Sequence, residues 1–327
     1  SGLSKTYGRS RHQITHGDTM NKVITNMVFL MAIFISSISY AQNKVAQHLQ
    51  GISVTIKAAN SEGSGVIISR DITVVGDTKA KVNFVWTCAH VVDGLRSVRT
   101  VIDAGKPKTI VEFKDAQVVK ELVEKGRKVG ELKMDAKVIL YSDAEDGEDL
   151  ALLMIRKAGF VDENTDFYLD AKNTEIGEPL LHVGSLLGQA GANSMTSGIM
   201  SQVGRVLNLG SGDGTVFDQT TVTAFPGSSG GGVFLKDGKY VGMLVRGSGE
   251  TFNLIVPIRR MQDWAKKRGI EWALDKAKST PSLSDIIKIA PEDGAPDHKG
   301  IRPEPSAASK QFPHLIRTIK PQNAKLQ

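Results

Sequence analysis

The sequence predicts an all-β fold, short strands closed into barrels or a sandwich, with one helix at the end of the folded body. Three observations predict it. Glycine is abundant, at 33 of 327 residues. Aromatics make up only 6% of the chain. Apolar runs are short and recur with turn residues between them, a spacing typical of barrels and sandwiches.

The elements follow in chain order. Residues 52–56 (Ile-Ser-Val-Thr-Ile), 65–68 (Gly-Val-Ile-Ile) and 82–86 (Val-Asn-Phe-Val-Trp) read as strands, as do 136–140 and 240–245. Residues 115–126 differ. Val118, Val119, Leu122 and Val123 share a face at helical spacing, which predicts a short helix there, with a strand as the alternative. Pro257 is placed to begin a helix in which Ile258, Met261, Trp264 and Ala265 line one face, and Gly269 to end it.

Both ends differ in composition from this body. Residues 20–22 (Met-Asn-Lys) precede an apolar run over 23–38, and Ser39-Tyr40-Ala41 follows. A basic start, a short apolar core and small residues at the end match a secretory signal cleaved after Ala41. An uncleaved membrane anchor over 23–38 is the alternative, although a bilayer span needs about 20 apolar residues. Residues 1–19 read as an upstream extension. The expected division is therefore extension and signal over 1–41, a folded domain over 42–275, and a tail over 276–327 rich in Pro, Lys, Ser and Ala. Such a composition predicts disorder.

The formal charge of +6 sits at the ends. Lys5, Arg9, Arg11 and Lys22 outnumber Asp18 before residue 42, and basic residues outnumber acidic ones beyond Lys276. The body between is close to neutral, which argues against a nucleic-acid partner. A single cysteine, Cys88, rules out an intrachain disulfide.

Three segments carry chemistry. Residues 225–233 read Phe-Pro-Gly-Ser-Ser-Gly-Gly-Gly-Val. A serine hydroxyl is a poor nucleophile without a base and a preformed oxyanion site. Flanking glycines let the backbone turn sharply enough for nearby N–H groups to point at one spot. Ser229 is thus the candidate nucleophile, with the Gly227 and Ser229 N–H groups as the candidate oxyanion hole. His90 directly follows the apolar run 82–86, where a general base would be held rigidly. Asp149 directly precedes the apolar run Leu150–Met154, where a buried carboxylate could fix the histidine tautomer. Asp146 is the neighbouring alternative. The order His, Asp, Ser, at separations of 59 and 80 positions, makes the three signals one constellation.

On these residues the chain resembles the trypsin/chymotrypsin superfamily, and within it the bacterial HtrA-like (Deg) serine proteases. Gly63-Ser64-Gly65 and the strand after it are similar to their opening strand. Residues 87–94 (Thr-Cys-Ala-His-Val-Val-Asp-Gly), 149–153 (Asp-Leu-Ala-Leu-Leu) and 226–231 (Pro-Gly-Ser-Ser-Gly-Gly) resemble their histidine, aspartate and serine motifs. Residues 197–201 and 254–258 resemble the strands before the serine loop and before the last helix. Ser228 stands where Asn or Asp is usual, and Gly232 where Pro is common.

The resemblance implies two six-stranded antiparallel barrels with a C-terminal helix and a site between them, acting on protein or peptide substrates. The signal-like segment at 20–41 predicts an exported, periplasmic or secreted protein, with membrane contact only if the signal stays uncleaved. The stretch after Lys276 is too short and polar for a PDZ domain. The implied mechanism is acyl transfer, which needs no metal or organic cofactor. The implied primary pocket is built from Thr223, Ala224 and Phe225, from Val245, Arg246 and Gly247, and from Asn253. Thr223 at its base carries no carboxylate, so small or medium aliphatic side chains are expected before the cut. Arg246 either reaches into the cleft or points to solvent.

Overall fold

A computed structural model describes Gly2 and residues 44–124, 126–207, 214–247 and 251–292. The signal segment at 20–41 lies outside the described residues.

A first helix, α1, covers residues 44–52. The first barrel takes β1 (Ser53–Ala58), β2 (Ser61–Val75) and β3 (Thr78–Thr87). Helix α2 (Ala89–Val92) follows directly. A two-stranded ribbon, β4 (Arg96–Asp103) and β5 (Lys106–Phe113), leaves the barrel, which resumes with β6 (Ala116–Glu124), β7 (Arg127–Ser142) and β8 (Leu150–Ile155). The second barrel takes β9 (Pro179–Leu186), β10 (Gly191–Leu207), β11 (Thr215–Thr220), β12 (Gly232–Leu235), β13 (Tyr240–Gly247) and β14 (Asn253–Pro257). Helices α3 (Ile258–Arg268) and α4 (Leu283–Lys288) end the described chain.

Both sheets close. The first runs β1-β2-β3-β8-β7-β6 and the second β10-β11-β14-β13-β12-β9, so each is a six-stranded barrel. Closure removes the unpaired strand edges that would otherwise template aggregation. The apolar runs seen in the sequence supply the interiors. All six residues of β8 are buried, and so are residues 82–87 of β3. Leu180, Met200, Val222, Val233, Val241, Leu244 and Ile255 form one core cluster in the second barrel.

Residues 116–124 form a strand and not a helix. Val118 pairs with Ile56 of β1 and with Met134 of β7, and Val118, Val119 and Lys120 are all buried. Two partner strands override the helical spacing, because β-branched residues pack well on a pleated surface.

The C-terminal helix begins and ends where expected. Pro257 is its N-cap, and Gly269 closes it in the left-handed conformation, φ 64°. Trp264 on its buried face meets Trp86 of β3 edge-on, ring centroids 5.9 Å apart. Beyond it Phe84 packs against Trp272 at 5.0 Å. A segment that follows the second barrel thus returns to seal the first.

The folded body also extends past residue 275, into the segment expected to be disordered. Ser282 caps α4 by accepting the Asp285 N–H, and Ile286 is fully buried. The Pro291 carbonyl accepts the Tyr141 N–H at 2.8 Å, and Glu292 pairs with Arg96. Few apolar residues suffice here because a finished barrel supplies the surface they bury against. Among the described residues, no helix is long and apolar enough to cross a membrane.

Candidate active site

His90 sits on the four-residue α2, directly after β3. Ala89, Val91 and Val92 are buried, which turns His90 to the other side and leaves it part-exposed. Asp149 is 4% exposed and adopts a left-handed backbone, φ 55°, before the buried β8. Asp tolerates that conformation better than most side chains. His90 Nδ1 lies 2.9 Å from Asp149 Oδ2 and 3.0 Å from Oδ1. The His90 backbone N–H also donates to Oδ1, at 3.1 Å. An ionised carboxylate can only accept, so Nδ1 carries the proton and Nε2 is left as an acceptor. The alternative acid, Asp146, is exposed.

Burial pushes the Asp149 carboxyl up, but the His90 charge and hydrogen bonds, aided by the Arg246 charge, outweigh burial and hold it below its ordinary value. The segment before Asp149 is anchored from the second barrel. Arg246 Nη2 donates to the Ala144 carbonyl at 3.2 Å, so Arg246 leans towards the aspartate loop. Arg260 of α3 donates to Glu148 Oε2 from Nε and Nη2, at 3.0 and 2.7 Å.

Ser229 lies in the turn before β12, 5% exposed. The Leu244 carbonyl brings it to the histidine segment, accepting from Cys88 Sγ at 3.4 Å and from the Gly230 N–H at 2.9 Å. Every carbonyl from 226 to 229 is engaged. Leu187 N–H donates to Pro226, Ser64 Oγ to Gly227, Gly231 N–H to Ser228 and Ser64 N–H to Ser229, at 2.6, 2.7, 3.0 and 2.8 Å. The Ser228 N–H is taken by the Phe225 carbonyl at 2.9 Å. The N–H groups of Gly227 and Ser229 alone in this stretch find no acceptor among the described residues. Two fixed, unmatched donors flanking a serine can bind a developing oxyanion. Gly227 is required for the turn: its φ is 92°, and a Cβ there would meet the Ser185 carbonyl oxygen at 2.2 Å.

Cys88, His90 and Asp149 place their ligand atoms within 4.8 Å of one another. The set does not suit a metal ion. Burial first, then the Asp149 charge, push the Cys88 thiol well above its ordinary value, and metals bind the thiolate. Both Asp149 oxygens are also committed to His90. A second histidine, His182, went unnoticed in the sequence. It is fully buried, its Nδ1 lies 2.9 Å from the Gly232 carbonyl, and burial lowers its pKa to about 4.

The expected pocket residues come together in part. A Cβ on Gly247 would lie 2.5 Å from Asn253 Oδ1 and 2.8 Å from Ala224 Cβ, so these three converge on a narrow seam. Asn253 is fully buried and donates from Nδ2 to the Val222 carbonyl at 2.7 Å. Thr223 is part-buried beside it. Phe225 is turned outward, 42% exposed, and Val245 is buried at 3%.

The profile of the trypsin-like peptidase domain matches residues 63–243, more than half of the chain and all three of His90, Asp149 and Ser229. The chain belongs to the trypsin-like peptidase family. Curated relatives include the serine protease Do-like HtrA of Lactococcus lactis subsp. lactis, 29% identical over 188 residues, and that of Lactobacillus helveticus, 28% identical over 183. Each alignment covers 56% of this chain and 36% or 35% of the relative, so the chain spans about a third of their length. Among solved structures, Rv3671c from M. tuberculosis H37Rv in an inactive form aligns with 69% of this chain and 90% of its own, at 17% identity and a TM-score of 0.48. The serine endoprotease from Yersinia pestis aligns with 69% and 65%, at 18% identity and the same TM-score. Within the family match lie β3 to β12 entire and all but the first two residues of β2, whereas β14 and α3, which carries Arg260, fall outside it.

Proposed function

We propose that the chain is a serine endopeptidase. Ser229 Oγ attacks a peptide carbonyl while His90 Nε2 takes its proton. The Gly227 and Ser229 N–H groups bind the oxyanion. The C–N bond then breaks, and the amine leaves with the proton from His90. A water activated by His90 hydrolyses the acyl-enzyme and restores Ser229. Asp149 stays ionised throughout, orienting His90 and stabilising its charged form.

The observation that carries this reading is the pair of N–H groups at Gly227 and Ser229 that find no acceptor among the described residues. A histidine fixed at two points by a buried carboxylate supplies the base. A fluorophosphonate probe tests it. Covalent labelling mapped to Ser229 is expected, and a folded protein that takes no label contradicts it.

The natural substrates are proteins or peptides. The seam formed by Ala224, Gly247 and Asn253 supports cleavage after small or medium aliphatic residues. Profiling on a peptide library tests this, and preferred cleavage after Arg would overturn it. The apolar run at 23–38 supports export with cleavage after Ala41, tested by N-terminal sequencing of the mature chain.

A further inference from the structure

We infer that Ser64, on β2 of the first barrel, is the positioning residue that sets the oxyanion-binding geometry of the second. This rests on the peptidase reading above. Ser64 is fully buried, and each of its polar groups is used. Its N–H donates to the Ser229 carbonyl at 2.8 Å. Its Oγ donates to the Gly227 carbonyl at 2.7 Å and accepts the Ser185 N–H at 2.7 Å. Its carbonyl accepts from Thr87 Oγ1 at 2.8 Å.

A peptide group is rigid and planar. The 227–228 peptide is held by Ser64 Oγ at the Gly227 carbonyl and by the Phe225 carbonyl at the Ser228 N–H. The 229–230 peptide is held by the Ser64 N–H at the Ser229 carbonyl and by the Leu244 carbonyl at the Gly230 N–H. The two oxyanion donors belong to the neighbouring groups: the Ser229 N–H to the 228–229 peptide, which lies between the two held ones, and the Gly227 N–H to the 226–227 peptide directly before them. Ser64 therefore limits the rotation of both donors through the peptides next to them, while the Gly231 and Leu187 N–H groups hold the carbonyls of the donor peptides themselves. Ser64 touches no reacting atom. It acts through the Gly227 carbonyl, and the Ser185 N–H fixes its hydroxyl as donor to that carbonyl. The backbone half of this clamp survives any side-chain change, so the hydroxyl can be tested alone.

The experiment is steady-state peptide hydrolysis by the full chain carrying Ser64→Ala, with the folded fraction read from tryptophan fluorescence. Losing a fixed oxyanion donor costs on the order of 100-fold in turnover. A fall in kcat approaching about 100-fold is therefore expected, with KM within about twofold. Affinity for a peptide boronate, whose tetrahedral adduct occupies the same N–H pair, should fall by a similar factor. Ser64→Cys, a weaker donor of similar shape, should lie between, and it carries the test if Ser64→Ala does not fold. A folded variant with parental kcat overturns the inference, as does a loss that only tracks the unfolded fraction. If the parent chain itself neither hydrolyses peptides nor takes a fluorophosphonate at Ser229, the peptidase reading fails and this inference falls with it.

Discussion

Asp149 holds His90 at two points: Oδ1 accepts the backbone N–H at 3.1 Å while Oδ2 lies 2.9 Å from the ring Nδ1. The double contact fixes both the position of α2 and the tautomer of the ring. Asp149→Asn keeps the shape but offers an amide where Nδ1 needs an acceptor. The ring would then carry its proton on Nε2 and could not accept from Ser229. Turnover should fall on the order of 10⁴-fold with KM little changed. Steady-state kinetics check this, and a loss below tenfold would mean that Asp149 does not set the tautomer.

His182 should make the fold acid-sensitive in a defined window. Its pKa drops from 6.5 to about 4 on burial. Between those values the unfolded chain binds the extra proton, so stability falls as pH drops from about 6.5 to about 4 and levels off below. The loss is on the order of 3 kcal/mol. Asp149, held below its ordinary range, contributes stability present above its unfolded pKa and lost as pH falls through the lower folded value. Its effect therefore lies beneath the His182 window. Urea melts across this range should show a flatter slope for His182→Asn than for the parent. Equal slopes would place the acid sensitivity elsewhere.

Gly230 should not accept a side chain. Its φ is 89°, and a Cβ would sit 2.1 Å from the Ser64 carbonyl oxygen and 2.4 Å from Thr87 Oγ1. Gly230→Ala should cost more than about 4 kcal/mol or prevent folding. Gly159→Ala, at φ 64° with open space around it, should cost only about 1 kcal/mol. Chemical denaturation compares the two, and similar costs would show that strain alone, not the close approach of Ser64, decides.

The site was legible where chemistry and burial coincide in one stretch of chain. His90 follows an apolar run and Asp149 precedes one, so their motifs marked both the strand and the functional side chain. The barrels were legible from strand spacing and from the resemblance. Residues 116–124 were not, because Val118, Val119, Leu122 and Val123 satisfy a helical period as well as a strand, and only pairing with β1 and β7 decides. The anchors were hidden for another reason. Ser64 meets Gly227 across 163 residues and Arg260 meets Glu148 across 112, and contacts at that separation leave no local pattern.

The segment after residue 279 should stabilise the body. A chain ending at 279 loses the buried Ile286 and the pair between Glu292 and Arg96. Burying one such side chain contributes about 2 kcal/mol, so this chain should melt about 5 °C lower. Calorimetry against a chain ending at 292 decides, and equal melting of the two would show that α4 adds nothing to stability.

The central claim is that His90 and Ser229 work as one catalytic unit. A double-mutant cycle tests it most directly, with turnover measured for Ser229→Ala, His90→Ala and the double variant. Each single change should lower kcat on the order of 10⁶-fold, and the double variant should be scarcely worse than either. Losses that add, or a His90→Ala variant that keeps most of the parental turnover, would contradict the assignment.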